Sequence, residues 1–193
     1  MDWRAVVGTL AGAITLAAII PYVLDVLRGL TRPNVVTWFL WTLNGLILAS
    51  AQSIAGASWT LSVLVASTIS TAIVTVLAIP LGQSKYGVLD GICLAMALAA
   101  IGGWWWTANP LSAIVLGVLA EVFAVTPTIA KTYRAPETET PITYWVTSLA
   151  TIMSLVASTK FDIANLLFPI YSVAVNTLIA VMASNGRRRR AAR

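Results

Sequence analysis

Apolar residues run along this chain in stretches of roughly twenty, about the length that crosses a bilayer as a helix. Short clusters rich in Gly, Pro, Asn, Ser and Thr break them. The pattern predicts seven transmembrane helices, over 5–25, 35–55, 59–80, 87–106, 110–131, 142–159 and 163–184. The breaks carry turn chemistry: Gly29 to Asn34, Ala55 to Ser58, Pro80 to Gln83, Ala108 to Pro110, and Ala135 to Pro141. Thr140 before Pro141 reads as a helix start, with the threonine as cap and the proline in the first turn. The first span is too long for a signal-peptide core and no clear cleavage site follows it, so it is expected to be retained.

Composition agrees. Of 193 residues, 59% are hydrophobic and 10% charged, against roughly 25% charged in a soluble domain. With no histidine and one cysteine, Cys93, a histidine-dependent triad, an HExxH zinc site and an internal disulfide are excluded. No glycine cluster forms a phosphate-cradling loop. The expectation is a protein that is not an enzyme, carries no cofactor or metal and binds no nucleic acid. Cys93 reads as a small apolar residue.

The net charge is +5, and its distribution predicts orientation. Arg28, Arg32, Lys85, Lys131, Arg134, Arg187 to Arg190 and Arg193 fall on one side of seven spans, ten in all, against Arg4 and Lys160 on the other. The positive-inside rule then puts the N-terminus outside and the C-terminus in the cytoplasm of a multi-pass cell (plasma or inner) membrane protein. Trp3, Trp59 and Trp104 to Trp106 fall at outer ends. Tyr22, Trp38, Tyr86, Tyr133, Tyr144 and Trp145 fall at inner ends, as interfacial belt residues do. Trp41 lies one turn deeper.

An internal repeat organises the chain. Pro21, Asp25, Arg28 and Trp38 are matched by Pro127, Lys131, Arg134 and Trp145. Proline to arginine is seven residues in both, and proline to tryptophan is seventeen and eighteen. Such fixed offsets mark a duplicated unit. The expected fold is an all-α membrane protein of two parallel three-helix bundles joined by a linker helix. The first repeat spans 1–82, the linker 83–109, the second repeat 110–184 and a basic cytoplasmic tail 185–193. Parallel repeats of this kind are a transporter plan.

In this layout, and in the proline near the inner end of each first helix, the chain resembles the PQ-loop and SWEET superfamily over essentially its whole length. The resemblance implies that two bundles rock about hinge prolines to give alternating access, with Pro21 and Pro127 at the matching positions. It is a likeness of architecture more than of substrate. Tyr22 and Thr128 follow the prolines where the naming motif has glutamine, and Pro33 and Pro141 begin spans 2 and 6.

Polar residues at mid-depth should face the bundle interior. They are Asn44, Thr68, Ser70, Thr71, Glu121, Thr151, Tyr171, Ser172 and Asn176. Glu121 stands apart as the acid near the centre of a span with no lysine or arginine at its depth. Apolar surroundings favour its neutral form, which suits a proton-coupling group. Ala113, Gly117 and Glu121 share one helix face, where small residues let a helix or a solute come close. Glu121, Asn44, Asn176, Tyr171, Ser70, Thr151 and Trp41 are the substrate and proton-site candidates. Asp25, Lys131 and Arg134 are inner-gate candidates, with Asp25 pairing across to Lys131 or Arg134. Gly8 and Gly12 allow tight packing within the first bundle or in a homo-oligomer.

The expected function is secondary transport of a small polar solute, such as a sugar, amino acid or vitamin precursor, coupled to protons through Glu121. The alternative is a non-transporting sorting or signalling receptor on the same fold. An intramembrane enzyme would lack a second mid-span acid, and a retinal-type pigment would lack a lysine in span 7.

Overall fold

A computed structural model describes residues 2–56, 58–83, 86–107 and 109–191. Lys85 and Arg193, and the side chains of Trp104, Trp105 and Arg187 to Arg190, used above for orientation and the aromatic belt, lie outside the described residues. Seven α-helices form among the described residues: α1 Trp3–Leu27, α2 Val35–Ile54, α3 Thr60–Leu81, α4 Val88–Thr107, α5 Pro110–Arg134, α6 Pro141–Val156 and α7 Ile163–Ala191. A short 3-10 turn, Pro136–Thr138, precedes α6.

Local chemistry sets the starts. The carboxylate of Asp2 accepts from the Arg4 amide at 3.0 Å, Asn34 Oδ1 from Thr37 N at 3.1 Å, and Asn109 Oδ1 from Leu111 N at 2.9 Å. Each satisfies one orphan donor of a first turn. Pro141 does begin α6, but Thr140 makes no side-chain cap bond. Its hydroxyl is engaged elsewhere, with Thr31 and Asp25. At the far end of α1, Gly29 takes φ +72°, a left-handed geometry that glycine adopts without strain.

Five helices, α1, α2, α3, α5 and α7, are long and apolar enough to cross a membrane. The 16 residues of α6 rise about 24 Å, short of the ~30 Å hydrocarbon core. Side-chain distribution is that of a protein dissolved in lipid. Ile20, Leu46, Val76, Ile79, Ile92, Leu149 and Ile170 point outward, while Thr15, Thr37, Asn44, Gln52, Glu121 and Ser154 are buried. In water so many exposed large apolar side chains would be a liability. Around hydrocarbon they are the solvated face, and buried hydroxyls and amides find partners inside. The chain is an all-helical membrane-embedded protein.

Packing follows a closed order. Helix α1 packs on α3 and α6, α2 packs on α3 and α5, and α7 packs on α5 and α6. The ring runs α1–α3–α2–α5–α7–α6, and α4 sits outside it against α5. Glycines set the closest approaches. A Cβ on Gly8 would come 2.6 Å from Trp59 Cβ, and one on Gly12 would come 3.2 Å from the Ser62 carbonyl oxygen. Ser62 Oγ donates to the Gly8 carbonyl at 2.6 Å. Gly8 and Gly12 therefore serve the α1–α3 contact within the chain.

Candidate functional site

Inside the ring lies a cavity of about 90 Å³, room for several waters at ~10–15 Å³ each. All six ring helices line it, through Thr15 and Ile19 of α1, Trp38, Trp41 and Gly45 of α2, and Leu64 to Thr71 positions of α3. Glu121 of α5, Thr143, Tyr144 and Thr147 of α6, and Phe168 to Asn176 positions of α7 complete it. The offset of 106 residues between Pro21 and Pro127 also carries Thr15 to Glu121, Trp38 to Tyr144 and Trp41 to Thr147. All six of those residues line the cavity. Residues 106 apart in the sequence thus meet around one space.

Of the seven sequence-derived site candidates, Glu121, Asn176, Tyr171, Ser70 and Trp41 line the cavity. Asn44 reaches it through Glu121, donating from Nδ2 to Oε1 at 2.7 Å and to the Gly117 carbonyl at 2.9 Å. That reach depends on Gly117, where a Cβ would fall 2.5 Å from Leu48 Cδ2. The face shared by Ala113, Gly117 and Glu121 thus admits helix α2 rather than a solute along its length. Thr151 does not join the site. It is buried, with its hydroxyl donated to the Thr147 carbonyl at 2.8 Å.

The polar atoms of the lining divide by hydrogen bonding. Thr15 donates to the Ala11 carbonyl at 2.9 Å, Thr68 to Leu64 at 2.8 Å and Thr71 to Thr68 at 2.9 Å. Asn176 Nδ2 donates to the Ser172 carbonyl at 2.8 Å and to its hydroxyl at 3.2 Å. Ser70 Oγ, Thr143 Oγ1, Tyr171 OH and Trp41 Nε1 have no partner within the protein. All four atoms are buried with almost no accessible surface.

Aromatic residues form the base of the cavity on the Asp25 side. Tyr22 packs on Trp38 with ring centroids 4.8 Å apart and meets Tyr144 edge-on at 6.2 Å. Trp38 and Trp41 are T-shaped at 5.1 Å. Tyr22, Trp38 and Tyr144 are buried, which corrects their reading as belt residues. Tyr133 and Tyr86 are exposed, as a belt requires. The difference is rotational. One face of each helix end looks to the membrane interface and the other to the ring interior, and periodicity did not separate them.

Beyond this base, polar ties close the Asp25 end. Lys131 forms an ion pair with buried Glu139 and donates to the Arg32 carbonyl at 2.6 Å. Tyr144 donates to Glu139 Oε2 at 2.9 Å, joining that pair to the cavity wall. Thr140 donates to Asp25 Oδ2 at 2.8 Å, so its 2.6 Å bond to Thr31 uses the Thr31 proton. Arg32 N donates to the Thr138 carbonyl at 3.2 Å. The gate candidates Asp25 and Lys131 therefore both bridge the α1–α2 and α5–α6 connections, through Thr140 and through Arg32 with Glu139 rather than through each other. Arg134 ends α5 on the exposed rim. At the opposite end Ser58 and Ser158 hydroxyls meet at 3.0 Å, and Gln52 Nε2 reaches Thr60 Oγ1 at 3.2 Å.

Sequence reading missed Glu139, Thr143 and Thr37. Thr37 Oγ1 donates to the Ala124 carbonyl at 2.7 Å, three residues before Pro127. Glu139 sits in a connection, where no periodicity marks burial. Thr143 could have been found, since the same offset carries Thr37 to it. Prolines 21 and 127 lie inside α1 and α5, and Pro169 lies inside α7 as well. Among the described residues no group of three or more His, Cys, Asp or Glu is placed to hold a metal ion. Compared with known proteins, the chain matches no family model, no curated protein and no solved structure.

Proposed function

We infer that this protein is a secondary carrier that moves a small polar solute across a cell membrane by alternating access. In this reading all seven helices cross the bilayer, with the N-terminus outside and the C-terminus cytoplasmic. Helices α1–α3 and α5–α7 act as two parallel bundles, and α4 links them. The observation that carries the reading is the cavity inside the helix ring, lined by residues 106 apart in the sequence, with Glu121 on its wall. The packing order supports it, because α1–α3, α2–α3 and α1–α6 are repeated as α5–α7, α6–α7 and α5–α2. In this reading the two halves are related by a two-fold axis through the cavity, and rocking about it would expose the site first on one side and then on the other.

Glu121 is the coupling group. A carboxyl on the wall of a membrane cavity binds or releases a proton with whichever side the cavity opens to, so in alternating access its proton moves with the conformational cycle. The Lys131–Glu139 and Thr31–Thr140–Asp25 ties are the inner gate. The Lys131–Arg32 and Thr31–Thr140–Asp25 bonds span the two halves and must break for the cavity to open toward the cytoplasm, while Glu139 holds Lys131 from within its own half.

The test is solute counterflow in proteoliposomes, after thermal-shift screening of sugars, amino acids, amines and vitamin precursors. Saturable counterflow is the expected result. A ligand that binds with no counterflow would reject transport and favour a receptor on the same framework.

A further inference from the structure

Glu121 is the acidic side chain of the cavity lining, and neither lysine nor arginine stands among the lining residues. Its Oε1 is met by a neutral amide from Asn44 rather than by a cation. The protons of the Thr15, Thr68 and Thr71 hydroxyls are already donated to carbonyls of their own helices. Each oxygen then offers only lone pairs to the cavity. Asn176 donates its amide to Ser172, which leaves its carbonyl oxygen as the acceptor. Trp41 adds the π surface of an indole, and such faces attract cations.

We propose that the solute is a small organic cation, a protonated amine whose ammonium group is held at Glu121. This deepens the carrier reading and rests on it only for the passage of the ligand across the membrane. An ammonium brings three donors and a positive charge to a wall of carboxylate, lone pairs and an aromatic face. An anion of the same size would meet that wall with no compensating cation. The unpartnered donors, Trp41 Nε1 and the Ser70, Thr143 and Tyr171 hydroxyls, suit an uncharged accepting group of the same solute. Proton and ammonium then compete for one carboxylate, so binding weakens as the medium is acidified. The other titratable groups of the lining are the phenols of Tyr144 and Tyr171. Helix α2 presents the neutral Asn44. On α4, which also packs on α5, Asp90 and Cys93 belong to the first turns, where Asp90 accepts from Asn34 at 2.6 Å.

Three probes of one shape decide it: a terminal aminobutanol, the corresponding butanediol and the corresponding hydroxybutyrate. Calorimetric titration of the purified protein should show the amine binding at least tenfold tighter than either analogue. Glu121→Gln should lose that preference and the dependence on pH, while its amide oxygen still accepts from Asn44. Trp41→Leu, measured on protein that elutes as a folded species, should weaken the amine about fivefold, the scale of a lost cation–π contact. Equal binding of the diol or the acid, amine binding untouched in Glu121→Gln, or no binding of any probe would overturn the proposal. Amine binding without counterflow would instead reject the carrier and leave the ligand class standing. Counterflow of the diol with no preference for the amine would do the reverse.

Discussion

Asn44 of α2 and Glu121 of α5 meet where the two helices pack, the amide Nδ2 standing 2.7 Å from Oε1. The same nitrogen donates to the Gly117 carbonyl one turn away, so a single side chain ties α2 to both the acid and the backbone of α5. Replacing it by alanine strands the carboxyl. Asn44→Ala should destabilise the fold by about 1–2 kcal/mol, the range for a lost buried or intramembrane side-chain bond. Unfolding in graded denaturing detergent measures this. Glu121→Gln should cost less, since glutamine still accepts, and a double-mutant cycle should show coupling. Additive effects would mean that the bond does no structural work.

The α1–α3 contact depends on the absence of a side chain at Gly8, where even a Cβ would lie 2.6 Å from Trp59. Gly8→Leu should force the helices apart and destabilise by about 1–3 kcal/mol, as overpacking does. Cross-linking and sedimentation check the alternative. A stable fold that changes only its oligomeric state would place the glycine at an interface between copies.

Lys131 holds Glu139, which is fully buried, at the Asp25 end. Lys131→Met leaves that carboxylate without its cation, and removal of one partner of a buried pair costs about 3–5 kcal/mol. The closed end should loosen first. Thiol labelling of a cysteine placed at Val26, in a Cys93→Ala background, should rise in Lys131→Met and in Thr140→Val. Labelling unchanged in both variants would show that these ties do not hold the gate.

Asp162 immediately precedes α7 and accepts from Asn165 N and Nδ2, each at 2.9 Å. Those bonds favour the carboxylate and hold Asp162 below its ordinary pKa. A depressed folded pKa means the stabilisation is present above the unfolded value and is lost as pH falls through the lower, folded one. Hydrogen exchange at the Asn165 amide, corrected for intrinsic rate, should therefore gain speed only on acidification below the usual aspartate range. Asp162→Asn should abolish that dependence. A flat profile in the parent protein would contradict the cap.

Much of this was legible in the sequence for a physical reason. Long apolar runs and cap residues such as Asn34 and Asn109 report local chemistry, so the helices could be placed to within a few residues. Glu121 stood out because a mid-span acid is costly unless buried in protein. What escaped was whatever depends on the partner across a gap. Nothing in the spacing says that Lys131 turns to Glu139, or that Thr140 leaves its cap role for Asp25. Tyr22, Trp38 and Tyr144 sit at depths that belt residues also occupy, and only packing shows them facing inward.

The central claim is that Glu121 couples a proton to movement of the solute. The most direct measurement compares Glu121→Gln with the parent in proteoliposomes, recording counterflow at saturating solute and flux driven by a pH gradient. The account predicts that counterflow persists with a raised KM while gradient-driven flux disappears. Gradient-driven flux unchanged in Glu121→Gln would contradict it.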